Sequence, residues 1–158
     1  MKILAVSDTH GDLRGFEEAL NREGRPDMVI HCGDICGDEE RLKEYAGCPC
    51  HIVRGNMDFS GLLPPECVVE ASGISLFACH GHLLGVDFDT SVLAEDAAAC
   101  GCVIALYGHT HMPDIHKEAG ITVMNPGSLS YPRQNPRVKS YGVIEAEKGL
   151  FECRIEYL

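Results

Sequence analysis

The sequence predicts an α/β fold, and three observations carry that prediction. Short apolar runs alternate with segments of helical periodicity through the first half of the chain, and five polar clusters each follow directly after an apolar run. The last residues then change to a strict two-residue alternation. With 158 residues and a hydrophobic share of 45%, the chain is expected to form a single domain, 1–158, whose core needs neither disulfides nor a partner.

The run Lys2-Ile3-Leu4-Ala5-Val6 reads as a strand. Leu13, Phe16 and Leu20 then recur at helical spacing until Gly24 and Pro26 stop the helix. Residues 28–32 form a second buried strand, 39–46 a short helix, 52–54 a third strand and 75–79 a fourth. A helix over 90–100 precedes a strand over 102–107. Strands and helices in turn imply parallel pairing in this part of the chain. Near the end, Phe151, Cys153, Ile155 and Tyr157 alternate with Glu152, Arg154 and Glu156, as an antiparallel strand with one wet face should. The Gly- and Pro-bearing stretches 61–65 and 125–136 read as loops, and no repeat, low-complexity tract or linker interrupts the domain.

Composition narrows the function. The formal charge is -11, from 24 acidic and 13 basic residues, and no Lys/Arg run breaks it, which argues against binding along extended nucleic acid. The N-terminal apolar run is too short for a secretory core or a membrane span, and no later stretch is long enough. Nine cysteines scattered among strand-like segments, without an export signal, point to reduced thiols and a cytoplasmic protein.

The clusters are Asp8-Thr9-His10, Gly33-Asp34, Gly55-Asn56-Met57-Asp58, His80-Gly81-His82 and Gly108-His109-Thr110-His111. In an open α/β sheet the carboxyl ends of the strands meet at one crevice, so groups distant in sequence converge there. A lone histidine at a strand end is more often structural than a ligand, but five such clusters built from Asp, Asn and His are hard to assign to packing. Mixed carboxylate, imidazole and amide donors suit Mn, Fe, Ni, Co or Zn better than Mg or Ca, and the lack of cysteine argues against a structural zinc knot. If extended, Asp8-x-His10 and His109-x-His111 would each send both side chains to one face. Glycines 33, 55, 81 and 108 are expected to make sharp turns beside the ions.

In this order the clusters resemble the calcineurin-like metallophosphoesterase superfamily, D-x-H, G-D, G-N-x-D, H and G-H-x-H. Asn125-Pro126-Gly127-Ser128 with Pro132-Arg133 is similar to a loop of its small prokaryotic YfcE-like phosphodiesterase branch. The resemblance implies a four-layer αββα sandwich with mixed sheets, of metallo-dependent phosphatase type. It implies two divalent cations, with manganese foremost and nickel, cobalt, iron or zinc as alternatives. Asp8, His10, Asp34 and His111 would hold one, and Asp34, Asn56, His80 and His109 the other, Asp34 bridging. Two dications less the Asp8 and Asp34 charges leave about plus two facing a small phosphate ester, within an ion pair ~3.5 to 4 Å apart. A bridging hydroxide would then attack phosphorus, so no protein nucleophile is needed. In many relatives a histidine follows the cluster's asparagine, and here it is Met57, which cannot donate a proton. General acid catalysis contributes ~100- to 10,000-fold, so the expected substrates are phosphodiesters with stabilised leaving groups rather than alkyl monoesters.

Asp58 is expected to orient a ligand or the Asn56 turn, and His82 to contact substrate or finish a turn. Ser7 and Thr9 are donors beside a ligand. His31-Cys32 is not a cysteine-phosphatase loop, since the arginine that chemistry requires is replaced by Asp38. Cys48-Pro-Cys50 and Cys100-Gly-Cys102 fit no common zinc spacing. His51 and His116 have no motif around them, and Arg133 and Arg137 read as solvated. The competing readings are a phosphomonoesterase or nucleotidase acting on a small metabolite, and a non-catalytic interaction scaffold like the superfamily's retromer subunit, which lacks part of the ligand set. A homodimer is the commonest closed assembly.

Overall fold

A computed structural model describes residues 1–158. The elements run β1 (Lys2–Val6), α1 (Arg14–Glu23), β2 (Met28–His31), α2 (Glu39–Ala46), β3 (Cys50–Ile52), β4 (Glu66–Ala71), β5 (Ile74–Cys79), α3 (Ser91–Ala99), β6 (Ile104–Leu106), β7 (Asp114–Glu118), β8 (Ile121–Asn125), β9 (Ser140–Glu147) and β10 (Leu150–Tyr157). They build two mixed sheets with helices on the outer faces. The first has the order β10-β9-β1-β2-β3 and the second β4-β5-β6-β8-β7.

Each sheet contains three mutually parallel strands, β1, β2 and β3 in one and β5, β6 and β8 in the other, flanked by antiparallel ones. Side-chain alternation divides these strands among three apolar layers. Ile3, Ala5 and Ile30 meet Leu76, Ala78, Ile104 and Met124 between the sheets. Leu4, Val6 and Val29 face the other way, under Phe16 and Ala19 of α1 and Leu42 of α2. Phe77, Ala105 and Val123 lie under Leu93, Ala94 and Ala97 of α3. Strands buried on both faces must be apolar at every position, which is why these segments lack polar alternation.

Both helices on the first sheet end as their sequence requires. Gly24 follows α1 at φ 72°, and Gly47 closes α2 in the left-handed conformation, its N–H donating to the Lys43 carbonyl at 3.0 Å. The Cys50–Ile52 strand lies two residues before the expected 52–54, because it pairs with β2 in the register Val29↔Cys50 to His31↔Ile52. The chain then leaves the sheet to carry Asn56. Strands β4, β7, β8 and β9 are additions to the sequence reading. Asn125, expected to open a loop, is the last residue of β8. β4 and β7 are edge strands with exposed Glu66, Glu70 and Asp114, so each carries too little apolar signal to stand out from a loop.

Candidate metal centre

The parallel strands of both sheets deliver their ends to one site. β1 leads to Asp8 and His10, β2 to Asp34, β3 to Asn56, β5 to His80, and β6 to His109 and His111. Backbone bonds stitch the turns together: Asp8 N–H donates to Gly33 O at 3.0 Å, His10 N–H to Asp34 O at 2.9 Å, and Gly108 N–H to His80 O at 3.2 Å. All seven residues singled out by their position after a strand are gathered here.

Two overlapping groups have the compactness of an ion site, Asp8 with His10 and His111, and Asp8 with Asp34 and His80. Asp8 Oδ1 lies 3.0 Å from His111 Nε2 and 3.7 Å from His10 Nε2. Asp34 Oδ2 lies 3.8 Å from His10 Nε2 and 3.5 Å from His80 Nε2, so its carboxylate reaches a histidine on either side, while Asp8 is the residue common to both groups. Asn56 Oδ1 is 3.0 Å from His80 Nε2 and 3.1 Å from His109 Nδ1.

The hydrogen bonds on the far side of each ring decide what faces inward. His111 Nδ1 donates to Tyr131 O and His80 Nδ1 to Cys32 O, each at 2.7 Å, which leaves both neutral rings with an Nε2 lone pair toward the carboxylates. Asp8 Oδ1 is buried and accepts no hydrogen bond, although His111 Nε2 is within 3.0 Å of it. Acceptor facing acceptor in a buried place is repulsive unless a cation lies between them. Burial works against a charged His80, yet the Asp34 carboxylate outweighs it and raises its pKa above the ordinary 6.5. Burial likewise opposes the Asp34 charge, but in the absence of metal a protonated His80, donating from Nε2, together with the Met57 N–H, holds the carboxyl at about 2. Burial lowers the His10 pKa, the Asp8 and Asp34 charges not fully compensating.

The D-x-H and H-x-H pairs do not reach the site by extended alternation. Asp8, His10, Asp34, His109 and His111 all have φ between 46° and 66°, the left-handed region. Such backbone costs an ordinary residue ~1 to 3 kcal/mol and persists where surrounding contacts over-determine it. Here Ser128 and Ser130 both donate their hydroxyls to Asp8 O at 2.8 Å. The glycine expectation is also revised. Gly33 and Gly81 do take positive φ, whereas Gly55 and Gly108 are needed for close approach. A Cβ at Gly55 would strike Asp34, and one at Gly108 would strike Ser7 and Asp8.

Asp58 stands behind the centre. Its Oδ2 accepts the Asp34 and Gly55 N–H groups, both at 2.8 Å, and its Oδ1 accepts Cys36 N–H at 2.7 Å. Ser7 Oγ donates to Asp8 Oδ2 at 2.6 Å, and Thr9 Oγ1 is 3.1 Å from Nε2 of His31, whose burial lowers its pKa to about 4. His82 lies beside the centre, its ring 5.2 Å from His80 and 6.1 Å from His109, with Nδ1 buried and unpaired. Met57 is exposed, and only its backbone engages the site, the N–H donating to Asp34 Oδ1 at 2.8 Å and the carbonyl accepting from Cys36 Sγ at 3.8 Å. All nine cysteines are free thiols. Arg133 and Arg137 are exposed, His51 is half-buried, and His116 pairs with Asp114 and Thr90.

Three contributors had no sequence signal. Asp87, in a loop between β5 and α3, pairs with His109 Nε2 at 3.0 Å. Cys36 places Sγ 3.9 Å from His10 Nδ1. Tyr131 supplies the carbonyl for His111 and sets its ring 5.5 Å from His10. None follows a strand directly; Asp87 and Cys36 have no distinguishing neighbours, and Tyr131, inside the loop from Asn125 to Arg133, acts through a backbone carbonyl that any residue would supply.

Comparison with known proteins agrees with this geometry. Residues 1–149 match the sequence model of the calcineurin-like phosphoesterase superfamily domain. The chain is 31% identical to the probable metallophosphoesterase YsnB of Bacillus subtilis, over 93% of this chain and 85% of that one. It is 30% identical to the phosphodiesterase YfcE of Escherichia coli K12, over 92% and 88%. A crystal structure of a predicted phosphoesterase from Streptococcus pneumoniae TIGR4 superposes with a TM-score of 0.84 at 34% identity, covering 99% of this chain and 88% of that one. Vps29 of Entamoeba histolytica, in a structure with zinc, shares the fold at 23% identity and a TM-score of 0.80, with 99% of each chain covered. Taken with the carboxylate and imidazole donors gathered at the strand ends, these matches mean that the chain belongs to the calcineurin-like phosphoesterase superfamily and is a metal-dependent phosphoesterase.

Proposed function

We propose that the protein is a dinuclear phosphodiesterase that hydrolyses small phosphodiesters. Asp8, His10, Asp34 and His111 hold one divalent cation and Asp34, Asn56, His80 and His109 the other. The observation that carries this reading is the buried, unpaired Asp8 Oδ1 facing the His111 Nε2 lone pair, with the Asp34 carboxylate 3.8 Å from His10 and 3.5 Å from His80. Five of the seven ligands on left-handed backbone form a concentration of strained residues at one place, as functional sites show.

A bound pair of divalent cations supplies positive charge to the phosphoryl oxygens and acidity to water. The chain's own residues do the rest. Asp34 positions both donor groups at once, and its low pKa keeps it anionic throughout the working range. Cys32 O and Tyr131 O fix the tautomers of His80 and His111, so the inward nitrogens stay available as donors. Met57 offers no proton to a departing alkoxide, which favours diesters with stabilised leaving groups, in keeping with the relative named as a phosphodiesterase. The mixed donor set favours manganese, with nickel, cobalt, iron or zinc as substitutes. No helix is long and apolar enough to cross a membrane; nine free thiols favour the cytoplasm, and a homodimer is the simplest assembly.

The test is a hydrolysis screen of aryl phosphodiesters and alkyl monoesters against Mn, Ni, Co, Zn and Mg. Diester turnover that requires added metal is expected. Glycerol phosphate cleaved as fast as an aryl diester would shift the reading to a phosphomonoesterase, and neither metal binding nor turnover would leave only a scaffold.

A further inference from the structure

The most exposed large apolar side chains are not spread evenly. Of the six that are more than three-fifths exposed, five lie on loops that carry or buttress the metal centre, and only Leu150 is elsewhere. Phe88 is 95% and Phe59 88% exposed. Each of these loops follows one pattern, in which a polar residue is tied into the centre and its chain neighbour is an exposed apolar one. Asp58 is fixed by three amides and is flanked by Met57 and Phe59. Asp87 pairs with His109 and is followed by Phe88. His82, against His80, is followed by Leu83, and Tyr131 is exposed while its carbonyl holds His111.

These attachments hold Tyr131 beside the His10 and His111 half of the centre, and the chain at Leu83 and Phe88 beside the His80 and His109 half, so the exposed apolar residues form a collar with two flanks. A phosphodiester presents two organic groups on either side of one anionic phosphorus. Resting on the phosphodiesterase reading above, we infer that this collar selects diesters whose organic groups are aromatic, the rings packing on Phe88 on one flank and on Tyr131 on the other. Large apolar surface left in water around a polar site is the mark of a binding surface. Aromatic side chains pair with a ligand ring in stacked or edge-on geometry. The net charge of -11 points the same way, since it disfavours substituents that carry further negative charge.

The experiment holds the leaving group constant and changes only the group that stays on phosphorus. 4-Nitrophenyl phenyl phosphate and 4-nitrophenyl methyl phosphate are compared on the manganese-loaded protein, each rate divided by its uncatalysed rate. The phenyl diester is expected to show a KM about three- to tenfold lower, the range of one aromatic pair. Phe88→Ser and Tyr131→Ser, the latter keeping the backbone carbonyl, should bring the ratio of the two KM values toward one. Equal KM values in the wild type, or a ratio unchanged in both variants, overturns the inference while leaving the diesterase intact. A dimer that becomes monomer in the variants, with the ratio unchanged, makes the collar an interface between copies and also overturns it. Turnover of neither diester fells the phosphodiesterase reading first, and this inference with it.

Discussion

The two halves of the metal centre are built differently. Around Asp8, His10 and His111 the supports are backbone and hydroxyl groups: Ser128 and Ser130 on the Asp8 carbonyl, Ser7 on its side chain, and the Tyr131 carbonyl on His111. Around Asn56, His80 and His109 only His80 has such a support, the Cys32 carbonyl. Asn56 is exposed, and although the His109 N–H donates to Asp8 Oδ2 at 3.1 Å, its ring is held by Asp87, whose side chain is itself 46% exposed. Groups held by buried main chain keep their geometry in every thermally accessible state, while a surface carboxylate does so only part of the time. On the dinuclear reading proposed above, the difference predicts a tighter ion in the Asp8 half and a more exchangeable one in the Asn56 half.

The largest effect should come from removing what the halves share. Asp34→Ala is expected to strip both ions and abolish turnover while circular dichroism stays native; loss of only one ion would mean the carboxylate does not bridge. Asp58→Ala deprives three amides of their acceptor, and at ~1 kcal/mol or more for each unmet buried group the urea midpoint should report a loss of about 3 kcal/mol. Asp87→Ala sharpens the contrast directly. Losing the carboxylate behind a ligating imidazole costs about 10- to 100-fold in metal affinity, here for one ion of the two. A titration showing both ions equally weakened would refute the division.

Acid should separate the halves as well. Imidazole ligates only when neutral. Because, despite burial, the Asp34 and Asp8 carboxylates raise the His80 pKa while burial lowers that of His10, the metal-free His80 ring takes up a proton at higher pH, and proton competition with metal is expected to begin on its side. Metal content after dialysis at stepped pH checks the order, and full loading well below pH 5 would contradict it. The smallest effect is reserved for His82→Ala, which should leave metal content unchanged, because its ring lies beside His80 and His109 but belongs to neither compact donor group.

How much of this was legible in the sequence follows from where signal is generated. The seven donors stand out because each comes just after a run made apolar by burial on both faces, so Val6 announces Asp8 and Leu106 announces the histidines beyond it. β7, Asp-Ile-His-Lys-Glu, is wet on its outer edge and reads like loop. Asp87 contributes through a tertiary pairing with a residue 22 positions away, for which local pattern holds no trace. The collar was invisible for the opposite reason, since an exposed Phe88 and a buried Phe77 look alike until the chain is folded.

Asp8 and Asp34 come from one sheet, while His80, His109 and His111 come from the other. Whatever ion sits among them therefore acts as a rivet through the seam of the sandwich, and sliding one sheet past the other would tear its coordination apart. Thermal resistance should consequently track free metal, each tenfold rise above saturation adding about 1.4 kcal/mol.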